Sequence, residues 1–163
     1  MSTSTGIREI RPEDQKAVLG ICAATGLFEP EELEFLEGML GEYFAGNLGA
    51  DHHWIMIEDD GIQGAAYYAP EDFADRVWNL YFIGIHPDQQ GHGVGTRLLR
   101  YVEETLTKSG QRILIIETSS LGTFEQTRSF YKKNGYDEEA RIRGWYKDGD
   151  DKVIFRKSLT STA

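Results

Sequence analysis

With 163 residues, the chain can bury a single-domain core. Its net charge of −10, from 17 basic and 27 acidic side chains, works against a nucleic-acid partner, because that association is driven by phosphate neutralisation. No run reaches the roughly 18 apolar residues of a membrane span, and the first residues lack the basic and apolar regions of a secretory signal. One cysteine, Cys22, excludes an internal disulfide and fits a reducing cytoplasm, and nothing has the spacing of a zinc site.

Residues 1–5 read as a flexible lead and 159–163 as a flexible tail around one domain. Gly6 to Arg11 alternates as a first strand. Pro12-Glu13-Asp14 suits a helix start, and Ala17, Val18, Ile21 and Cys22 form its apolar stripe, with Cys22 as buried filler. Pro30-Glu31-Glu32 opens a second helix with Leu33, Leu36, Leu40 and Phe44 at helical spacing. His53 to Glu58 reads as a strand, and His52-His53 at its start reads as loop with no ligand partners in sight. Asp59-Asp60-Gly61 is a hairpin turn, and Ile62 to Ala69 is the partner strand.

Val77 to His86 predicts a long central strand, with His86 capping the turn that follows. A helix over 94–108 carries Val94, Leu98, Val102 and Leu106 on one side and stops at Gly110. Ile113 to Thr118 is apolar enough for a strand buried on both faces. Thr123-Phe124-Glu125-Gln126 has the form of a capping box, and Asn134-Gly135 ends the helix it would start. Ala140 to Tyr146 and Lys152 to Arg156 close the chain as a hairpin. The order is β-α-α-β-β-β-α-β-α-β-β, an α/β chain without internal repeats.

The most informative stretch joins the central strand to the 94–108 helix: Gln90-Gly91-His92-Gly93-Val94-Gly95-Thr96. Glycines at a helix start leave backbone N–H groups pointing outward, where the helix dipole adds partial positive charge, so such a turn can hold phosphate. The same glycines would also serve a tight turn that needs them only for its dihedral angles. Two phosphate motifs are excluded. No Lys-Ser or Lys-Thr pair follows the last glycine, and no glycine stands three residues after a G-x-G pair.

The order Gln90-x-x-Gly93-x-Gly95 resembles the Q/R-x-x-G-x-G/A motif of the GNAT N-acetyltransferase superfamily. Asn79 to Pro87 is similar to that family's central strand, Ile113 to Glu117 to the strand after it, and Phe130-Tyr131-Lys132-Lys133-Asn134-Gly135-Tyr136 to its F-Y-x-x-x-G-F/Y signature. The resemblance covers roughly residues 6 to 158. It implies a mixed, mostly antiparallel central sheet whose two central strands splay apart, with flanking helices. It also implies acetyl transfer from acetyl-CoA to a primary amine by direct attack in a ternary complex.

By that resemblance Ile83, Gly84 and Ile85 pair with the pantetheine arm of coenzyme A, while Gln90, Gly91, His92, Gly93, Val94, Gly95 and Thr96 take its pyrophosphate. Gly84, a glycine inside an apolar strand, points to a close backbone approach. A packing glycine facing a bulky neighbour is the other reading of that position. Tyr131 matches the general acid that protonates the departing thiolate. Asn79 stands where some histone-directed relatives carry a glutamate base and cannot take a proton at neutral pH, so Glu117 is the substitute, with a water chain as the alternative. Phe124 and Thr127 depart from the asparagine and alanine often found upstream of the tyrosine.

The segments expected on the acceptor side offer Glu34, Glu37, Glu42, Tyr43, Trp145, Tyr146 and Asp148 to Asp151. Acids with aromatics suit a cationic amine, on a small molecule or a peptide. A homodimer is left open. The rival to an enzyme is a non-catalytic acyl-CoA-binding sensor or partner module. It would share the phosphate turn and differ at Tyr131 and the base.

Overall fold

The computed structural model describes residues 6–160, so the lead at 1–5 and residues 161–163 of the tail lie outside the described residues. The elements follow the expected order: β1 (Ile7–Glu9), α1 (Gln15–Ala24), α2 (Pro30–Phe44), β2 (His53–Glu58), β3 (Ile62–Pro70), β4 (Val77–Ile85), α3 (Val94–Lys108), β5 (Ile113–Ser119), α4 (Glu125–Lys133), β6 (Asp137–Lys147) and β7 (Asp150–Ser158). The strands form one seven-stranded sheet in the order β1-β2-β3-β4-β5-β7-β6. The β1–β2, β2–β3, β5–β7 and β6–β7 ladders are antiparallel, and β4–β5 is parallel. No helix among the described residues is long and apolar enough to cross a membrane.

The described residues gather into two compact units, one holding residues 6–69 with Phe82–Val102, the other Pro70–Tyr81 with residues 103–160. In the first, Trp54 to Ile57 of β2 are all buried, so this strand is covered on both faces. Val18 and Cys22 of α1 and Leu36 and Leu40 of α2 cover one side. Trp54 stacks on Tyr67, 4.9 Å between ring centroids, and meets Phe82 at 5.8 Å. Cys22 is wholly buried, and burial pushes its thiol up to about 12, so it is inert filler as expected. The helix expected at Pro12 begins as a 3-10 turn, Pro12–Asp14, before α1. The Asp14 carboxylate accepts from the Arg11 N–H at 2.7 Å and from the Arg8 guanidinium at 2.8 and 3.0 Å, which holds that carboxyl below its usual range.

In the second unit, β5 pairs with β7 from Ile113↔Ser158 to Ser119↔Lys152. Leu114, Ile116 and Thr118 are buried while Ile113, Ile115 and Glu117 are half-buried. This alternation corrects the expectation of a strand buried on both faces: its apolar run hides a two-residue period. The capping box at Thr123 is also corrected. A 3-10 turn, Gly122–Phe124, precedes α4, and no side-chain cap bond forms there. Arg128 holds this loop instead, donating to the carbonyls of Ser119 and Leu121 at 2.8 Å each.

The closing hairpin is longer than its hydrophobic pattern predicts. Its connection is Asp148-Gly149 alone, because Lys147 already pairs with Asp150. Leu159 departs from the free tail: it is buried, and its N–H donates to the Arg112 carbonyl at 2.7 Å.

Candidate functional site

The glycine turn belongs to the first unit. β4 ends at Ile85, and His86 caps the 3-10 turn Pro87–Gln89, its Nδ1 accepting the Asp88 N–H at 3.1 Å. Gly91 and Gly93 follow at φ +81° and +78°, in the left-handed region where an L side chain is strained. A Cβ on either would meet nothing within 4 Å, so the backbone angle, not crowding, calls for glycine. The Gly93 carbonyl then accepts the Arg97 N–H at 3.0 Å, which makes Gly93 the N-cap immediately before α3. The N–H groups of Val94, Gly95 and Thr96 therefore precede the first intrahelical bond and have no partner within the helix. Three such donors on a 15-residue helix, beside a turn with open space, suit an anionic oxygen cluster such as a pyrophosphate. Gln90 and His92 are exposed on the same turn.

Gly84 has a side-chain reason. A Cβ there would stand 2.4 Å from Cζ of Phe82, two residues back on the same strand face. The glycine makes room for that ring, the packing role that was the other reading of this position. The β4–β5 ladder covers only Val77 to Leu80 of β4 among the described residues, and β4 runs on through Ile83, Gly84 and Ile85 beyond its last pair with β5.

Tyr131 and Glu117 both belong to the second unit. Tyr131 is buried, packed between Phe130, Tyr136 and Phe155 at ring-centroid distances of 5.6, 6.2 and 5.5 Å. Burial raises its phenol above the ordinary value near 10, so at neutral pH it carries its proton. The neighbouring ring is fixed in turn: the Tyr136 hydroxyl donates to Glu103 Oε2 at 2.8 Å, and Lys157 Nζ binds Glu103 Oε1 and the Asn134 carbonyl at 3.1 Å each.

The register explains the surroundings of Glu117. Asn79 pairs with Ile115, which puts Asn79 one pleat from Glu117 on the same face. Asn79 Nδ2 donates to Glu117 Oε1 at 3.1 Å. Across the sheet Glu117 pairs with Ile154, and Lys152, two residues before it, binds Glu117 Oε2 at 2.7 Å. Lys152 Nζ also lies 4.0 Å from the centroid of the Trp145 ring. Glu117 is thus an ion-paired carboxylate. Burial, with the charges of Glu117 and Asp150 nearby, pushes the Tyr146 phenol up to about 12.

Two groups of expected residues have different duties. Asp150 is buried and accepts from the Ser119 hydroxyl. Asp151 accepts from the Gly144 N–H at 2.8 Å and from Arg141 at 3.2 Å. Asp150 thus ties β7 to the end of β5, and Asp151 ties β7 to β6. β2 starts at His53 as the strand expectation has it, and both histidines at that start are engaged. His52 Nδ1 lies 2.5 Å from the Tyr67 hydroxyl, and His53, already in β2, lies 2.7 Å from Glu9 Oε1. Glu71 went unnoticed in the sequence: it accepts from Asn79 Nδ2 at 2.9 Å. Its position directly after Pro70, in a run of exposed acids, gives no signal of that contact.

A model of the GNAT acetyltransferase domain matches residues 49–138. A crystal structure of a GNAT-family acetyltransferase from Desulfovibrio desulfuricans is 31% identical, with a TM-score of 0.88, covering 94% of this chain and 98% of that one. An uncharacterised N-acetyltransferase of Methanocaldococcus jannaschii is 33% identical over 72 residues, 43% of this chain and 30% of that relative's length. The PaiA N-acetyltransferase of Thermoplasma acidophilum, solved in complex with coenzyme A, shares the fold at 19% identity, with a TM-score of 0.73, covering 93% of this chain and 97% of that one.

Proposed function

Because the chain belongs to the GNAT acetyltransferase family, we propose that it transfers the acetyl group of acetyl-CoA directly to a primary amine, in the cytoplasm and without a covalent enzyme intermediate. The carrying observation is Tyr131, a buried phenol held in its protonated form within the Phe130-to-Tyr136 signature. A residue that loses one proton per turnover must start each cycle loaded, and burial secures that.

The Gln90–Thr96 turn takes the pyrophosphate through the N–H groups of Val94, Gly95 and Thr96, and the backbone of Ile83, Gly84 and Ile85 lines up the pantetheine amides as an added strand would. The coenzyme A held by the T. acidophilum fold relative supports this choice of cofactor. Glu117 accepts the proton that the attacking amine sheds. As the carbon–sulfur bond breaks, Tyr131 gives its proton to the sulfur. The products are an N-acetylated amine and coenzyme A as the free thiol. The acidic chain, with Trp145 and Tyr146 exposed at 56% and 47%, favours a cationic acceptor.

The test follows thiol release from acetyl-CoA across a panel of polyamines, aminoglycosides, amino acids and short peptides. Saturable, amine-dependent release supports the proposal. Tight acetyl-CoA binding with no release on any amine would turn the weight to a cofactor sensor.

A further inference from the structure

Asn79 is fully buried, and its amide is fully divided on one side. Nδ2 donates one hydrogen to Glu71 Oε1 at 2.9 Å and the other to Glu117 Oε1 at 3.1 Å. Both neighbours are carboxylates, so the amide cannot be turned over without setting oxygen against oxygen. Its own Oδ1 is buried with no hydrogen-bond partner. A buried carbonyl without a donor is costly, and few survive in folded proteins unless something supplies one.

The charges around it do not balance. Lys152 answers Glu117 at 2.7 Å, but no lysine or arginine among the described residues pairs with Glu71. Glu71 has instead the Asn79 amide and the Tyr81 hydroxyl, at 3.4 Å. Glu71 and Glu117 are only half-buried and Tyr81 is 49% exposed, so the two carboxylates can be reached from solvent beside the buried Asn79 amide. The donors present are already spent on the two carboxylates, and the four side chains carry one negative charge in excess. A primary ammonium is the matching chemistry: one positive charge and three N–H donors.

We infer that Glu71, Asn79 and Glu117 form the seat of the acceptor's ammonium group, with Glu71 as its counter-ion and Asn79 Oδ1 accepting one of its hydrogens. The inference rests on the acetyltransferase reading and assigns the side chains that would receive its amine. Glu71 holds the nitrogen while a proton passes from it to Glu117, leaving a neutral amine with a free electron pair and a protonated carboxyl. Glu71 is thereby a positioning and specificity residue. A hydroxyl or carboxylate acceptor would leave its charge unanswered.

Glu71→Gln separates this role from a structural one. Glutamine keeps a carbonyl oxygen for the Asn79 amide and the Tyr81 hydroxyl, and removes only the charge. The experiment titrates phenethylamine, cadaverine and uncharged phenethyl alcohol into the full chain, with and without coenzyme A, while the Asn79 side-chain amide signals are followed by NMR. Both amines should shift those signals saturably, and phenethyl alcohol should not. Glu71→Gln should weaken amine binding on the order of 10-fold, leave Tm and the coenzyme A thermal shift unchanged, and raise the KM for the amine without raising that for acetyl-CoA. Glu71→Asp, which keeps the charge, should bind amines more tightly than Glu71→Ala, and that pair decides the matter if the glutamine variant fails to fold. Equal amine affinity with and without the Glu71 charge would overturn the inference. So would alcohol binding equal to amine binding, or no response of Asn79 up to tens of millimolar amine. Failure of the acetyltransferase reading would show separately, as no thermal shift with coenzyme A or no thiol release.

Discussion

The Gln90–Thr96 turn and the Asn79 cluster are made from different materials. The turn is backbone: two glycines in the left-handed region and three N–H groups ahead of the first helical bond, all within seven consecutive residues. The cluster is side chains, Glu71, Asn79, Glu117 and Lys152, drawn from a loop and three strands and joined by hydrogen bonds across 8 and 38 positions of sequence. A backbone device tolerates change in side chains that are not glycine and fails when a Cβ is added. A side-chain device fails when a charge or a proton is removed and leaves the backbone as it was. Substitutions should therefore sort cleanly, the turn governing cofactor affinity and the cluster governing the rate.

The largest expected effect is at the turn. Gly93→Glu sets a strained, negatively charged side chain where a pyrophosphate would bind and should abolish the rise in Tm that acetyl-CoA produces in the unaltered protein. A preserved thermal shift would break the assignment of the turn. Glu117→Gln comes next: kcat/KM should fall, because the carboxylate that would take the amine's proton is gone. If the rate is unchanged, the proton leaves through water or the amine itself. At Gly91, alanine meets no neighbour but must adopt φ +81°. A cost of about 1–2 kcal/mol in stability is expected, read as a lower denaturation midpoint.

The smallest effect concerns Asp14. Its carboxyl is held low chiefly by the Arg8 hydrogen bonds, so its contribution is present above the unfolded value near 4 and is lost as pH falls through the lower folded value. As pH falls below about 4 the unaltered protein should lose more stability than Asp14→Asn, by no more than about 1 kcal/mol. Cofactor binding should not change.

The same contrast explains what could be read from the chain. Glycine spacing, the Val94-Leu98-Val102-Leu106 stripe and the Phe130–Tyr136 signature are local, and the turn, α3 and α4 lie where these patterns put them. Tyr131 is buried although two lysines follow it in sequence. Glu71 was not legible, because its contact with Asn79 depends on how the loop after β3 returns to β4. The pairing of Asn79 with Ile115 is a register, and a register is set by long-range packing. Asp150 and Asp151 look like an exposed acidic turn in sequence. Only the two-residue connection at Asp148-Gly149 carries them into β7, where Ser119 and Gly144 use them.

The division between holding the cofactor and moving the proton is tested most directly by Tyr131→Phe, with acetyl-CoA affinity and kcat measured on the same preparation. Removing one oxygen should leave affinity and Tm near those of the unaltered protein and lower kcat about 10²-fold or more. The unaltered protein should show no alkaline decline from this phenol up to about pH 10, because burial raises it above that value. An unchanged kcat, or a parallel loss of affinity and rate, would contradict the assignment of Tyr131 as the acid.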